Sequence, residues 1–281
     1  MADLHVLNLG AGVQSTTLYL MFREGLLSPA LDAAIFADTQ DEPAAVYAHL
    51  RWLQSLNGPP SHVVTAGRLG DDLVHGANST GQRFASIPAF TTRDGGRTHG
   101  ITRRQCSREY KTRVIEQTIR RVLLGRQPRQ RVPRGVHVFQ YFGISFDEAR
   151  RAKAIRERFA TDQKWATPKF PILDAMMTRG DCLRWLEGRV PHQTPRSACV
   201  FCPYHSDDEW LQIKARPADW ARALEIDRAL RTPGTIAARD MKQVMYLHDS
   251  CVPLEQVEFT PETRRQIPLS FYRECEGVCG N

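Results

Sequence analysis

The first residues that could do chemistry form a turn of small side chains near the start of the chain. The turn reads Gly10-Ala11-Gly12-Val13-Gln14-Ser15-Thr16. A turn without bulky side chains lets backbone N–H groups close on a phosphate, and a helix that starts there adds a partial positive charge. The hydroxyl groups of Ser15 and Thr16 can donate to the same anion. We predict a phosphate-binding turn; the alternative is a tight strand-to-helix connection that holds no ligand.

The turn departs from two common phosphate-binding motifs. No Lys follows the glycines, which excludes a Walker A loop, and the third glycine of a GxGxxG fingerprint would fall at Ser15. Carboxylates come after the next apolar run, in Asp38-Thr39-Gln40-Asp41-Glu42-Pro43. The carboxyl end of a strand beside a phosphate loop is where an α/β enzyme would hold Mg²⁺ or a ribose. We expect this stretch to belong to the same site.

The cysteines offer a second kind of chemistry. Cys199 and Cys202 form a CxxC pair, Cys275 and Cys279 form a CxxxC pair, and Cys106 stands alone. A CxxC pair can ligate one metal ion or two corners of an iron–sulfur cluster. The uneven spacing favours a [4Fe-4S] cluster over Zn(Cys)₄, which typically uses two CxxC pairs. A redox pair of the thioredoxin kind is the third option.

The two other cysteines are interpreted differently. Cys182 lies on the apolar face of a predicted helix, which is typical of a buried structural thiol. Cys251 has no cysteine nearby in the sequence and is structural or undecided.

Basic residues are concentrated between Arg97 and Arg134. This block contains twelve of them, opposed only by Glu109 and Glu116, in a chain whose net charge is +7. The local excess of ten positive charges suits a polyanion, either nucleic acid or a nucleotide with several phosphates. The alternative is a solvated helix face followed by a basic loop.

Strands and helices alternate through the first part of the chain and must position these groups. Apolar runs predict strands at 5–9, 31–38, 63–65, 136–144 and 170–174, and helical spacing predicts helices at 15–23, 43–56, 112–124 and 178–187. Ser145 and Glu148 form a capping-box pattern for one more helix. Residues 67–100 read as a long loop with a short helix at 69–75. The alternation predicts an α/β fold with a parallel sheet flanked by helices.

The C-terminal part reads as mostly helical, with helices at 207–215 and 218–230. We expect a nucleotide-binding α/β domain over residues 1–175 and a helical, cysteine-containing region over residues 176–281. No apolar run approaches the roughly 20 residues that span a bilayer, and no secretory signal is visible. We therefore expect a cytoplasmic chain without a membrane partner, where cysteines are typically reduced, metal-bound or catalytic.

Four motifs, in this order, resemble the PP-loop ATP pyrophosphatase superfamily, and its phosphoadenosine phosphosulfate (PAPS) reductase-like branch most. They are the turn at 10–15, the stretch at 38–43, Cys106-Ser107-Arg108-Glu109-Tyr110-Lys111, and Gly143-Ile144-Ser145-Phe146-Asp147-Glu148-Ala149-Arg150-Arg151. The family's loop reads Ser-Gly-Gly-x-Asp-Ser. Gly12 and Ser15 match it, whereas Gly10, Ala11 and Gln14 stand where the family has Ser, Gly and Asp. The resemblance covers roughly residues 4–205.

The resemblance implies an adenine nucleotide, ATP, on the turn and the end of the second strand, with Mg²⁺ held by a carboxylate such as Asp38 or Asp41. The implied nucleotide-binding residues are Gly10, Ala11, Gly12, Gln14, Ser15, Thr16, Asp38, Thr39 and Gly143. The implied ligands of a [4Fe-4S] cluster are Cys106, Cys199, Cys202 and Cys275. The candidates for catalysis are Lys111, Arg104 and Arg151, which would stabilise phosphate charge, and Cys279 as a reactive thiol.

Three functions are compatible with these residues. The first is an ATP-dependent sulfurtransferase that adenylates a carbonyl oxygen of a base or nucleotide, in tRNA or DNA, and replaces it with sulfur from a donor. The second is a PAPS reductase-like oxidoreductase with Cys275 or Cys279 as its nucleophile. The third is a non-catalytic iron–sulfur protein that binds nucleic acid. A homodimer is a common arrangement for such chains.

Overall fold

The computed structural model describes residues 3–75, 87–92, 100–232 and 243–260. The strands are β1 (Asp3–Asn8), β2 (Ala33–Asp38), β3 (Ser61–Thr65), β4 (Phe90–Thr92), β5 (Gly100–Ile101), β6 (His137–Phe142), β7 (Ala166–Lys169) and β8 (Val244–Tyr246). The α-helices are α1 (Val13–Arg23), α2 (Ala44–Ser55), α3 (Leu69–His75), α4 (Arg113–Thr118), α5 (Ala149–Asp162), α6 (Pro171–Asp174), α7 (Arg179–Leu186), α8 (Asp207–Lys214) and α9 (Pro217–Ala229).

The main sheet has the strand order β3-β2-β1-β6-β7, and every pair in it is parallel. β2 is buried along almost its whole length, as expected for a central strand covered on both faces. A parallel strand needs a crossover, and helices supply it. The chain runs outward from β1 to β3 on one side and then continues at β6 on the other side of β1. The carboxyl ends of β1 and β6 therefore flank a topological switch point, where α/β folds form a ligand crevice.

Helices cover both faces of this sheet. Helices α1, α2, α6 and α7 pack on one face, around Leu18, Leu50 and Leu186. The other face is covered by α5 and by a continuous helical segment from Ser107 to Leu123, which contributes Ile115 and Ile119. The described structure is thus an α/β arrangement, and the predicted parallel sheet is confirmed.

A further core lies around Trp210. It joins α8 and α9 to α3, to Tyr110 and to a small antiparallel sheet with the order β5-β4-β8. Chain segments from before and after residue 175 share this core, and Cys182 and Leu186 of α7 pack with the main sheet. The division of the chain into a domain of residues 1–175 and a region of residues 176–281 stays a prediction.

Several predicted elements differ in detail. Residues 170–174 were expected to form a strand, but Pro171 begins the short helix α6, and the edge strand is the preceding β7. The helix expected at 112–124 begins at Ser107, five residues earlier, and its two ends are π-helical. Ser145 precedes a 3₁₀ turn, Phe146–Glu148, and its side chain makes no capping bond to the backbone. No helix in the described ranges is long and apolar enough to cross a membrane.

Candidate functional site

The small-residue turn connects β1 to α1 as predicted. The backbone N–H groups of Gly10 and Gly12 both donate to Ser15 Oγ, each at 3.2 Å. Ala11 between them has a φ of 56°, a left-handed conformation that turns successive N–H groups toward one side. The turn therefore forms a cup that already binds one oxygen atom, that of the Ser15 hydroxyl. This is the donor geometry that an anionic oxygen requires.

Gln14 joins the turn to the end of β6 across the switch point. Its Nε2 donates to Glu148 Oε2 at 3.1 Å and to Ser145 Oγ at 3.3 Å. Glu148 also forms an ion pair with Arg151, and both side chains of that pair are largely buried. Arg151, a predicted catalytic residue, thus contacts the turn indirectly, through Glu148 and Gln14. The chain places an amide where the resembling family has a carboxylate, and the amide bonds to a second carboxylate.

The carboxylates after β2 have separate partners. Asp38 Oδ1 accepts hydrogen bonds from the backbone N–H of Gln40 at 2.7 Å and from Tyr47 Oη at 2.8 Å. Burial, and then the hydrogen bond to Asp38, raise the pKa of Tyr47. Asp38 forms no ion pair with any described residue. It is therefore the carboxylate at this edge whose oxygen donors fit Mg²⁺ best.

Asp41 is used differently. Its buried carboxylate accepts from Arg222 Nε at 2.8 Å, from Arg68 Nε at 3.3 Å and from the N–H of Gly70 at 2.7 Å. Arg222 lies on α9 and Gly70 on α3. Asp41 therefore fastens the end of β2 to the C-terminal helices, a role that does not leave it available for Mg²⁺.

The predicted cluster ligands within the described residues come together. Cys106, Cys199 and Cys202 line one cavity of about 30 Å³ beside the end of β2, with mostly apolar walls. Predicted catalytic residues Arg104 and Lys111 line the same cavity, as does Thr39. Sequence positions almost a hundred residues apart thus meet at one place. Cys275 and Cys279 lie outside the described residues.

The CxxC turn is fixed to the end of β2 by several contacts. Thr39 Oγ1 and Cys199 Sγ share a hydrogen bond of 3.1 Å, and the N–H of Val200 donates to the carbonyl of Asp41 at 2.8 Å. His205 Nε2 lies 2.9 Å from the carbonyl oxygen of Cys199. The strand β2, which ends beside the small-residue turn, therefore also positions the cysteines.

Lys111 enters this region from the π-helical segment Ser107–Thr112. Its Nζ lies 2.9 Å from Glu42 Oε1, and both groups are buried. The other oxygen of Glu42 accepts from Ser197 Oγ at 3.3 Å. Short π-helical segments occur frequently at functional sites. Here the segment carries Lys111 inward beside Cys106.

Burial governs the chemistry of the Cys199 thiol. It raises the pKa of Cys199 well above its ordinary value, and the charge of Glu42 raises it further. Lys111 and the bond from Thr39 act in the opposite direction. A ligand that favours the thiolate, such as a metal ion, is what would offset the burial.

A chain of hydrogen bonds leads from the turn toward the surface. Thr16 Oγ1 lies 2.8 Å from His49 Nε2, and His49 Nδ1 lies 2.8 Å from His192 Nε2. Burial and the adjacent His192 lower the pKa of His49 to about 4. His49 is therefore neutral near pH 7 and fixes the Thr16 hydroxyl by a hydrogen bond.

Several residues of the site were not singled out from the sequence. They are Tyr47, His49, Ser197 and Arg222. A Glu beside Asp41 and a Lys in the third motif are both visible in the sequence, but nothing in their spacing pairs them. Gly143 directly follows β6 and lies at the switch point; its binding of a nucleotide stays a prediction.

The residues present fit the implied groups by their donor chemistry. The N–H groups of Gly10 and Gly12 now donate to Ser15 Oγ and would fit a phosphate oxygen in place of that hydroxyl. The thiols at the cavity fit an iron–sulfur cluster, since such clusters are held by thiolates. As they stand, no three Cys, His, Asp or Glu side chains converge on a metal position within residues 3–75, 87–92, 100–232 and 243–260.

Comparisons with known proteins do not assign this chain to a family. No protein-family model, no curated protein and no solved structure matches this chain. The structure is a parallel-sheet α/β protein with helices in its C-terminal half. This architecture is compatible with a PP-loop fold.

Proposed function

We propose that this chain is an ATP-dependent sulfurtransferase of the PP-loop type that acts on a base or nucleotide, with nucleic acid as the favoured acceptor. One observation carries the proposal. The three cysteines with the spacing of an iron–sulfur site line a cavity with Lys111 and Arg104, beside the strand that follows the phosphate-binding turn. Thiol ligands and phosphate-binding groups at one sheet edge suit a reaction that uses both ATP and sulfur.

The reaction has two balanced steps. A carbonyl oxygen of the acceptor attacks the α-phosphorus of ATP, the bond to the β-phosphate oxygen breaks, and pyrophosphate leaves. Sulfur from a sulfide-class donor then attacks the carbonyl carbon, whose oxygen now carries the AMP group. The bond between that carbon and that oxygen breaks, and AMP leaves. The acceptor ends with sulfur in place of oxygen, and the donor supplies that atom.

The chain's own residues would serve the first step. The N–H groups of Gly10 and Gly12 would hold a phosphate oxygen, Asp38 would hold Mg²⁺, and Lys111 and Arg104 would stabilise the developing phosphate charge. Cys106, Cys199 and Cys202 would hold three irons of a [4Fe-4S] cluster, and its fourth iron would bind either sulfide or the proposed fourth ligand, Cys275. Cys279 is a proposed reactive thiol.

The first experiment is anaerobic purification with iron and sulfide measured beside the visible absorption spectrum. We expect about four irons per chain, and their loss in Cys199→Ser and Cys202→Ser. Cys182→Ala is the matched control, since Cys182 lies on α7 in the core of the main sheet and does not line the cavity. One zinc per chain and no iron would contradict the cluster, and no metal at all would favour the PAPS reductase-like alternative.

A second candidate function is a non-catalytic nucleic-acid binder. Its support is the turn itself, where Ser15 already occupies the cup and residues 10–20 are buried. The two functions differ in one measurement, ATP-dependent pyrophosphate release in the presence of tRNA or DNA. Release supports the transferase. Salt-sensitive binding of nucleic acid without release supports the binder.

A further inference from the structure

The basic block of residues 97–134 does not form one patch. Its first part, with Arg104 and Lys111, lies at the cysteine cavity. Its last part lies beyond the far end of the helical segment Ser107–Leu123, at the amino edge of the sheet, where β6 begins. A helical segment of that length separates the two parts by on the order of 20 Å. The second part therefore needs its own explanation.

At the amino edge the chain forms an open groove of about 470 Å³. The basic side chains that line it are Arg120, Arg131, Arg134, His137 and Lys164. The loop that forms one wall is held in place, since Arg120 Nη2 donates to the carbonyl of Gln130 at 2.6 Å and the N–H of Gln127 donates to Gln130 Oε1 at 2.9 Å. We call this the amino-edge groove.

The charge of the amino-edge groove faces outward. Arg131, Arg134 and Lys164 are exposed, and their side chains form no hydrogen bond or ion pair with any residue that the structure describes. Two carboxylates, Glu116 and Asp162, also line the groove, but both interact with the charge of Arg158 behind it. Three cations are therefore left to attract an anion from solution.

One wall of the amino-edge groove is aromatic. Trp165 lies just before β7, half-buried, and packs against the core of the main sheet on one side while it lines the groove on the other. Cations that follow a phosphate backbone, combined with an aromatic ring on which a base can stack, are the recurring features of single-strand nucleic-acid binding. The ring favours nucleic acid over an acidic protein surface, since a base can stack on it beside the phosphates that the cations contact.

We propose that the amino-edge groove binds a single-stranded segment of nucleic acid, with Arg131, Arg134 and Lys164 on its phosphates and Trp165 against a base. The proposal deepens the proposed function and rests on it for the choice of nucleic acid as acceptor. It adds a docking site on the side of the sheet away from the reaction, so that one acceptor molecule contacts both edges.

The test measures binding of a labelled single-stranded DNA, and of the RNA of the same sequence, by fluorescence anisotropy over a range of salt concentrations. Each phosphate contact on a single strand contributes about 0.7 to the slope of log affinity against log salt. The triple variant Arg131→Ala/Arg134→Ala/Lys164→Ala should therefore lower the slope by about 2 and weaken binding about 100-fold at 0.1 M salt.

A matched control removes the same charges elsewhere. Arg23→Ala/Arg51→Ala/Lys153→Ala takes two Arg and one Lys from exposed helix positions outside the groove, and we expect it to bind within a few-fold of the unaltered chain. Trp165→Leu should weaken binding about tenfold without a change in slope, and Trp165→Phe should retain most of the affinity.

Each failure has a distinct meaning. If the groove triple variant binds nucleic acid like the unaltered chain and with the same slope, the groove is not the docking site, while the proposed function stands. If the unaltered chain binds ATP but no nucleic acid, both the groove proposal and the choice of acceptor are wrong. Tighter binding of an acidic polypeptide than of either oligonucleotide would also overturn the groove proposal.

Discussion

Lys111 and Glu42 form a buried ion pair, with Nζ and Oε1 2.9 Å apart, that connects the helix after Cys106 to the end of β2. Breaking a buried pair leaves one charge without its partner, which typically costs about 3–5 kcal/mol. We expect Lys111→Met and Glu42→Gln each to lower the free energy of unfolding by that order. Urea denaturation measures it.

The double variant Lys111→Met/Glu42→Gln separates structure from catalysis. It leaves no buried charge at the pair, so most of the stability should return. If Lys111 also stabilises phosphate charge, pyrophosphate release in the refolded double variant stays about 10²–10³-fold slower. A double variant that recovers both stability and rate would remove Lys111 from the mechanism.

The contact between Gln14 and Glu148 allows a prediction about how magnesium changes the stability of a Gln14 variant. Gln14→Asp would replace the amide that donates to Glu148 with a second carboxylate, so that two like charges meet in a buried place. The lost hydrogen bond to a charged group alone costs about 1.5–3 kcal/mol. We expect the melting temperature of Gln14→Asp to fall and to recover on addition of MgCl₂, since a divalent cation can bind both carboxylates.

Gln14→Ala is the control for this effect. It loses the same hydrogen bond but adds no charge, so its melting temperature should fall without responding to MgCl₂. Equal magnesium responses in the two variants would show that the carboxylate pair is not the cause.

Gly70 is the clearest steric constraint in the site. A Cβ atom at this position would lie 2.4 Å from Arg222 Nη2 and 2.9 Å from Asp41 Oδ2. The Gly70→Ala side chain must therefore displace the ion pair that fastens β2 to α9, and we expect a loss of about 1–3 kcal/mol in the free energy of unfolding.

Gly180→Ala is the matched substitution, also in the first turn of a helix. Its Cβ would meet nothing closer than 3.6 Å. There the gain in helix propensity should dominate and stabilise the chain by about 0.5–1 kcal/mol. The two substitutions are therefore expected to change stability in opposite directions, and a Gly70→Ala protein as stable as the unaltered chain would contradict the packing at Gly70.

The buried imidazole of His49 allows a prediction about how stability depends on pH. Its pKa is lowered from 6.5 to about 4 by burial and by His192, so the unfolded chain binds a proton in this window more readily than the folded chain does. The stability is therefore complete above pH 6.5 and falls as the pH drops from 6.5 to 4, by about 3 kcal/mol from this group.

The check is a series of urea denaturations between pH 7 and pH 4. His49→Gln can still bond to Thr16 but does not titrate, so its stability should fall less over the same range. Parallel pH curves for the two proteins would assign the acid sensitivity to other groups.

The sequence predicts individual helices and strands well, because the residues that determine each of them are adjacent in the chain. Helices α1, α2 and α9 and strands β1, β2 and β6 appear within a few residues of their expected bounds, since apolar runs and helical spacing of apolar residues mark them in the sequence. The wrong assignment at 170–174 shows the limit. A short apolar run is compatible with strand or helix, and Pro171 at the first helical position decides for helix.

Strand β7 is an example of a strand that the local sequence does not predict. It contains Pro168, which argues against a strand in the sequence, yet β7 lies at the edge of the sheet, where a proline is tolerated. Whether a strand is at an edge depends on strand order, which no local pattern states.

The sequence by itself determined which chemistry is available: a small-residue turn before a helix, carboxylates after a strand, and cysteines with uneven spacing. Only the tertiary structure decided how these groups combine. It placed Cys106 beside Cys199 and Cys202, paired Lys111 with Glu42, bonded Gln14 to Glu148, and divided the basic block between two edges of the sheet. These are contacts between residues far apart in the chain, and they are set by strand order and by the length of the helix between the edges.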